Sequence, residues 1–252
     1  MSTQELFEWE YSPPNYFEEP IEVVRDDYRI TISPGKVEAW VASNTFAENP
    51  AIRGEMHAYL HDQFLGVQLM EFRPYELSDS RRTCIHVDGR RDAFIELKGV
   101  AAVAAGGTVD IRITSADGAV YDTKEERIAS KRRLADLVQL HRSSNPALAA
   151  MLTSFENAIR DPQNELVHLY EIRDVLSVEF GGKSNAITTL GLTSAAWSKL
   201  GQLSNDEPLR QGRHRGKSGA ALRDATQTEL QDAREIARSM LSLYLNHLEC
   251  KS

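Results

Sequence analysis

Only two cysteines, Cys84 and Cys250, occur in the 252 residues. That is too few for a disulfide framework or a cysteine metal cluster. No run of 18 apolar residues exists, which excludes a helical membrane span. The opening stretch carries Glu5, Glu8 and Glu10 with no basic residue ahead of an apolar core. No secretory signal is therefore expected, and both thiols are expected to be free in a reducing, cytoplasmic setting. Positive charge is also short: 29 Lys and Arg stand against 37 Asp and Glu, for a net charge of −8. A protein that coats nucleic acid has the opposite balance, so any contact with phosphate has to come from a local patch. No phosphate-binding or dinucleotide glycine motif follows a strand, and no repeat or low-complexity tract is visible. What remains is 41% apolar and 26% charged residues, the composition of an ordinary folded chain long enough for one large or two small domains.

The hydrophobic period changes along the chain. Residues 1–20, with Pro13, Pro14 and Pro20, read as an extended N-terminal arm. Its aromatics, Trp9, Tyr11, Tyr16 and Phe17, are expected to pack on the chain's own sheet or to dock on a partner. From 21 to 122 a period of two dominates. Tyr28–Ile32, Lys36–Val41, Thr83–Val87, Ala93–Leu97, Val100–Ala105, Thr108–Ile113 and Ala119–Tyr121 alternate between turn pairs such as Pro34-Gly35, Asp88-Gly89 and Asp117-Gly118. This predicts an antiparallel β domain, a sheet or small sandwich. Residues 51–72 are ambiguous; two strands are favoured over a short helix. After 122 the period is 3.6. Thr123 with Glu126, Asn145-Pro146, Asp161-Pro162 and Thr226 with Glu229 are helix starts, and Gly181-Gly182 is a stop. The expected fold class is α+β, with a C-terminal helical bundle over 123–252.

One segment stands out chemically. Between residues 204 and 225, Arg210, Arg213, Arg215, Lys217 and Arg223 outnumber Asp206, Glu207 and Asp224, an electropositive island on an acidic chain. Three readings are open: catalysis, anion or RNA contact without chemistry, and a solvated loop. Glycine-flanked amides and arginines bind phosphate readily.

Long helices, Gly181-Gly182, two short helices ending in Trp197-Ser-Lys-Leu200, the loop with Arg213-His214 and a long last helix rich in Ala and Arg resemble the HEPN-like domains of bacterial proteins. The resemblance covers about 123–250 and leaves the β domain unmatched. It implies a bundle that forms a homodimer and acts on RNA as a metal-independent endoribonuclease, in toxin or antiviral-defence settings, with no cofactor. Family members place an Arg, four to six residues and a His near the start of the last helix. Here Arg210 and His214 are separated by three residues, and Arg213 abuts His214. The resemblance implies catalytic roles for Arg210, Arg213 and His214. Arg215, Lys217 and Arg223 are then expected to contact nucleic acid or another anion, and His168 and Glu171 to support the site. A non-catalytic dimerising module, whose β domain recognises a protein or a small ligand, is the alternative.

Other polar residues have quieter readings. His57 and His61 share a face at spacing i, i+4, as zinc ligands do, but Ala58 stands where a zincin has its glutamate, and no third ligand is evident. No metal is expected. His86 reads as a packing residue of a strand. Glu165 and Arg173 read as surface partners of neighbouring helical charges.

Overall fold

The computed structural model describes residues 3–94, 112–114, 120–213, 215 and 221–251. In chain order the elements are β1 (Gln4–Ser12), β2 (Ile21–Val24), β3 (Tyr28–Ser33), β4 (Lys36–Ala42), α1 (Ser43–Glu48), α2 (Ile52–Glu71), β5 (Glu76–Leu77), β6 (Arg81–Ile85), β7 (Arg91–Phe94), β8 (Arg112–Thr114) and β9 (Val120–Asp122). The helices α3 (Thr123–His141), α4 (Pro146–Arg160), α5 (Glu165–Glu179), α6 (Lys183–Leu190), α7 (Ser194–Gly201) and α8 (Gln227–Glu249) follow. An antiparallel sheet ahead of a helical region makes the chain α+β. Two compact units divide it: residues 1–64 with 75–130, and 65–74 with 131–252. No helix among the described residues is long and apolar enough to cross a membrane.

In the first unit the sheet runs β2-β3-β4-β1-β6-β7, with β5 also paired to β1. The stretch read as an arm is extended, but residues 4–12 lie inside the sheet, antiparallel to β4 on one side and β6 on the other. Their alternation was obscured because Leu6, Phe7, Trp9 and Tyr11 mix with Glu5, which is itself buried. Register places Phe7 opposite Ala39 and Trp9 opposite Val37, and Ile30 and Ile32 face the same two positions from β3. All six are buried, so one face of the sheet is core. Tyr16 and Phe17 pack on Phe64 of α2, with ring centroids 5.1 and 4.9 Å away. The Asp88-Gly89 hairpin forms as its residues predict, with Gly89 at a φ of +86°. The expected strand at Val100–Ala105 and the turn at Asp117-Gly118 fall outside the described residues; of the strands expected at Thr108–Ile113 and Ala119–Tyr121, the described parts are β8 and β9, which pair antiparallel.

The strands favoured for 51–72 are instead one helix, α2. Ile52, Met56, Tyr59 and Leu60 do keep helical spacing, but from Asp62 to Leu69 every residue is buried. A helix enclosed on all sides loses the polar stripe that reveals its period. Its end has no glycine signal either: Phe72 occupies the left-handed region, with a φ of +49°, and donates its N–H to Gln68 O at 2.8 Å. A second correction concerns α3. Thr123 is already helical, and the Asp122 carboxylate caps the helix by accepting from the Lys124 and Glu125 amides.

In the second unit, α4, α5 and α8 bury Phe155, Leu169, Ile172, Met240, Leu241 and Tyr244 in one core, closed by Trp197 and Leu200 of α7. Asn145 and Thr226 cap α4 and α8 as their sequences predict, Thr226 with a full capping box. Gly66 of α2 lies against α3. A Cβ there would meet the Ala135 Cβ and the Lys131 carbonyl oxygen, each at 2.7 Å. Alanine is about 1 kcal/mol better than glycine in a helix interior. Gly66→Ala should nevertheless destabilise the chain, by about 1–3 kcal/mol, because the clash is partly with backbone. Urea unfolding with an unchanged m-value checks this, and a gain in stability refutes it.

Candidate functional site

Pro208 and Gly212 keep the described segment after α7 from continuing as helix. The helix widens first: Gln202–Asp206 form a π-helical turn, with the Glu207 N–H donating to Gln202 O at 3.0 Å. Leu209 is then buried as an anchor. The two stems of the loop pair in parallel: the Arg210 N–H donates to Arg223 O, and the Arg223 N–H to Pro208 O, both at 3.0 Å. The Gln211 side chain bridges to the Ala225 N–H, and the Arg213 N–H donates to Ser204 O at 2.7 Å. Gly212 is needed where it stands, since a Cβ would come within 3.0 Å of Ser204 O. The described part of the loop is therefore tied to the body at its stems and at 213.

The side chains of the described arginines have partners. Arg213 Nη1 donates to Asp174 Oδ2 at 3.0 Å, and its guanidinium lies over the Tyr170 ring at 4.5 Å. Arg173 lies over the same ring, also at 4.5 Å, and over Trp197 at 5.3 Å. Tyr170 thus meets two guanidinium groups. Arg215 donates to Gly212 O, to Gln163 O and to Asn164 Oδ1. Arg223 forks onto Glu229 at 2.6 and 2.7 Å and lies 3.6 Å from Glu207. Arg210 has the loosest pairing, 4.0 Å from Asp224, with 64% of its side chain exposed. His214 and Lys217 lie outside the described residues.

His168 and Glu171 both stand on α5. His168 Nε2 is 3.5 Å from Asp161 Oδ2, and its Nδ1 is 3.7 Å from Glu171. Ser154 donates to Glu171 at 2.9 Å. The Asn164 amide and, behind it, His168 hold the Asp161 carboxyl below its usual range. Among the described residues neither His168 nor Glu171 contacts a loop arginine; Glu171 links α5 to α4 through Ser154. The residues that do support the loop are Tyr170 and Asp174, one helical turn apart on α5. Arg173 and Glu165 are not surface partners of neighbouring charges. Arg173 lies between two rings, and Glu165 is buried on Arg234 of α8.

Glu229 has a second duty besides its capping box. The Arg223 fork, then the Thr226 amide and hydroxyl, pull its carboxyl down to about 2. A depressed folded-state value stabilises the fold above the unfolded carboxylate range, and that contribution is lost as pH falls from about 4.5 toward 2. Denaturant midpoints measured across that window should fall for the natural chain and fall less for Arg223→Gln. Identical pH profiles for the two proteins refute the coupling.

Two other clusters complete the survey. His57 and His61 lie on α2 at helical spacing. Among the described residues, no group of three His, Cys, Asp or Glu is placed to hold a metal ion. His86 is not a packing residue: its Nε2 stands 2.6 Å from the Asp92 carboxylate across the β6–β7 hairpin. No protein-family model matches the chain. No curated protein and no solved structure matches it either.

Proposed function

We propose that the helical unit is a HEPN-like module that binds RNA through the loop at 207–225. One observation carries the reading. The described part of the loop is tied to the helical unit: it is anchored at Leu209, its stems pair, and Arg213 and Arg215 are held on Asp174 and Asn164. A stem held in this way presents Arg210 to a phosphodiester with little ordering cost. The resemblance adds a homodimer formed through the helices and a growth-arrest or phage-defence setting; a protein or small-ligand partner is proposed for the sheet.

Cleavage is the stronger form of this proposal, with Arg210 meeting the phosphate and His214 moving the proton. Contact without turnover is the second reading. It is favoured by the acidic partners of Arg213 and Arg223, which leave fewer guanidinium groups for a transition state.

Binding of a short single-stranded RNA across a salt series tests the shared claim. Affinity should fall with salt, by about 0.7 logarithmic units per logarithmic unit of salt for each phosphate contact. Arg210→Gln should remove about one such contact. Asp174→Asn, which releases the Arg213 charge, should strengthen binding. Salt-independent binding, or binding that neither substitution changes, overturns the proposal.

A further inference from the structure

Strand β2 lies at one end of the sheet and, among the described residues, pairs on one side only, with β3. The Arg25 N–H donates to Tyr28 O at 2.8 Å, closing a two-residue turn at Asp26-Asp27. Hydrogen-bonded pairs alternate along an antiparallel ladder, so they fall at Arg25 with Tyr28, Val23 with Ile30 and Ile21 with Ile32. The N–H and C=O groups of Glu22 and Val24 therefore point away from β3. None of these groups has a partner among the described residues. Natural sheets close such edges with lysine, proline or a bulge. Ile21–Val24 contains neither lysine nor proline, and its pairing with β3 is unbroken.

The side chains of this edge are apolar on both faces. Ile21 and Val23 stand beside Ile32 and Ile30 on the core face and stay partly exposed, whereas those two isoleucines are fully buried. On the opposite face Val24 is 75% exposed. A further strand would cover all three. The charge around them is negative: between residues 19 and 30, Glu19, Glu22, Asp26 and Asp27 stand against Arg25 and Arg29. Arg25 is turned toward α2, 5.9 Å from the Tyr59 ring.

We propose that β2 takes an extended basic segment of a protein partner as an added antiparallel strand. Main-chain bonds to Glu22 and Val24 supply the affinity, and alternate side chains supply the choice of partner. The segment alternates accordingly: apolar side chains lie beside Ile21 and Val23 on the core face, and lysine or arginine lies beside Glu22 on the other. A second copy of this chain fits poorly. Pairing Glu22 with Val24 of the copy sets Glu19 opposite Asp27, pairing Val24 with itself sets Glu22 opposite Asp26, and pairing Glu22 with itself sets like against like. The proposal specifies the protein partner proposed above for the sheet and rests on that reading, not on the RNA one.

Two end-blocked hexapeptides are the probes, one alternating Lys and Val and the other Glu and Val, titrated into the full chain and followed by amide chemical shifts. The Lys-Val peptide should saturate below about 1 mM and shift Glu22 and Val24 most, with the Glu-Val peptide at least tenfold weaker. Val24→Pro removes an outward N–H that no internal bond uses, and Val24→Lys sets a like charge on the edge. Each should weaken the Lys-Val peptide at least tenfold, and Arg210→Gln should leave it unchanged. Val24→Lys and the comparison of the two peptides on the natural chain stand even if Val24→Pro fails to fold. No saturation by about 1 mM, equal affinity for the two peptides, or binding that Val24→Lys does not change overturns the proposal. Shifts confined to other strands overturn this edge and leave the sheet a partner surface elsewhere. Shifts of Glu22 and Val24 with chain concentration alone overturn the peptide and assign the edge to a second copy.

Discussion

Replacing Arg234 with methionine should lower the unfolding free energy by about 3–5 kcal/mol, the cost of leaving one member of a buried ion pair alone. Glu165 is the first residue of α5 and only 2% exposed. Both of its oxygens are taken by the Arg234 fork, whose guanidinium also lies over Phe72 at 4.6 Å. Methionine keeps much of the stem's packing, so the loss isolates the charge. The converse change, Glu165→Gln, should cost less, because the Arg234 side chain is 27% exposed and its charge can reach water. The double replacement Glu165→Leu with Arg234→Met should recover most of the loss, since two apolar residues substitute well for a buried pair. Urea unfolding of the three variants at one pH, with matched m-values, is the measurement. A loss under 1 kcal/mol in Arg234→Met, or a double variant no better than that single one, refutes the account.

That pair also shows why part of the chain was legible in sequence and part was not. The start of α8 could be read because its signals are local: Thr226 and Glu229 are three residues apart and satisfy each other. The hairpin at Asp88-Gly89 was visible for the same reason. Glu165 and Arg234 are 69 residues apart, and nothing near either one reveals that the carboxylate is buried. The loop repeats the contrast. Its positive charge is a local property and was plain, whereas the partner of Arg213 is Asp174, 39 residues upstream. Charge in a sequence therefore overstates charge on a surface. β1 and α2 were misjudged for a related reason: residues buried on more than one side lose the polar alternation on which both periods depend.

The largest functional effect is expected at position 214. If the RNA reading holds in its stronger form, His214→Ala should slow cleavage by about 10²–10⁴-fold while RNA affinity changes little. The chemistry requires no metal, so the assay is run in EDTA. His214 would take the proton from a ribose 2′-hydroxyl, whose oxygen attacks the adjacent phosphorus. The bond from phosphorus to the 5′-oxygen breaks, that oxygen receives a proton, and a 2′,3′-cyclic phosphate and a 5′-hydroxyl remain. Arg210, mostly exposed and only loosely paired, would meet the extra charge on the phosphoryl oxygens. Arg210→Gln should therefore reduce both binding and cleavage, and His214→Ala cleavage alone. Binding without cleavage by the natural chain removes the enzymatic form and leaves the contact module, which the acidic partners of Arg213 and Arg223 already favour. Cleavage that survives His214→Ala assigns the activity to other groups and removes the proton-transfer role from this residue.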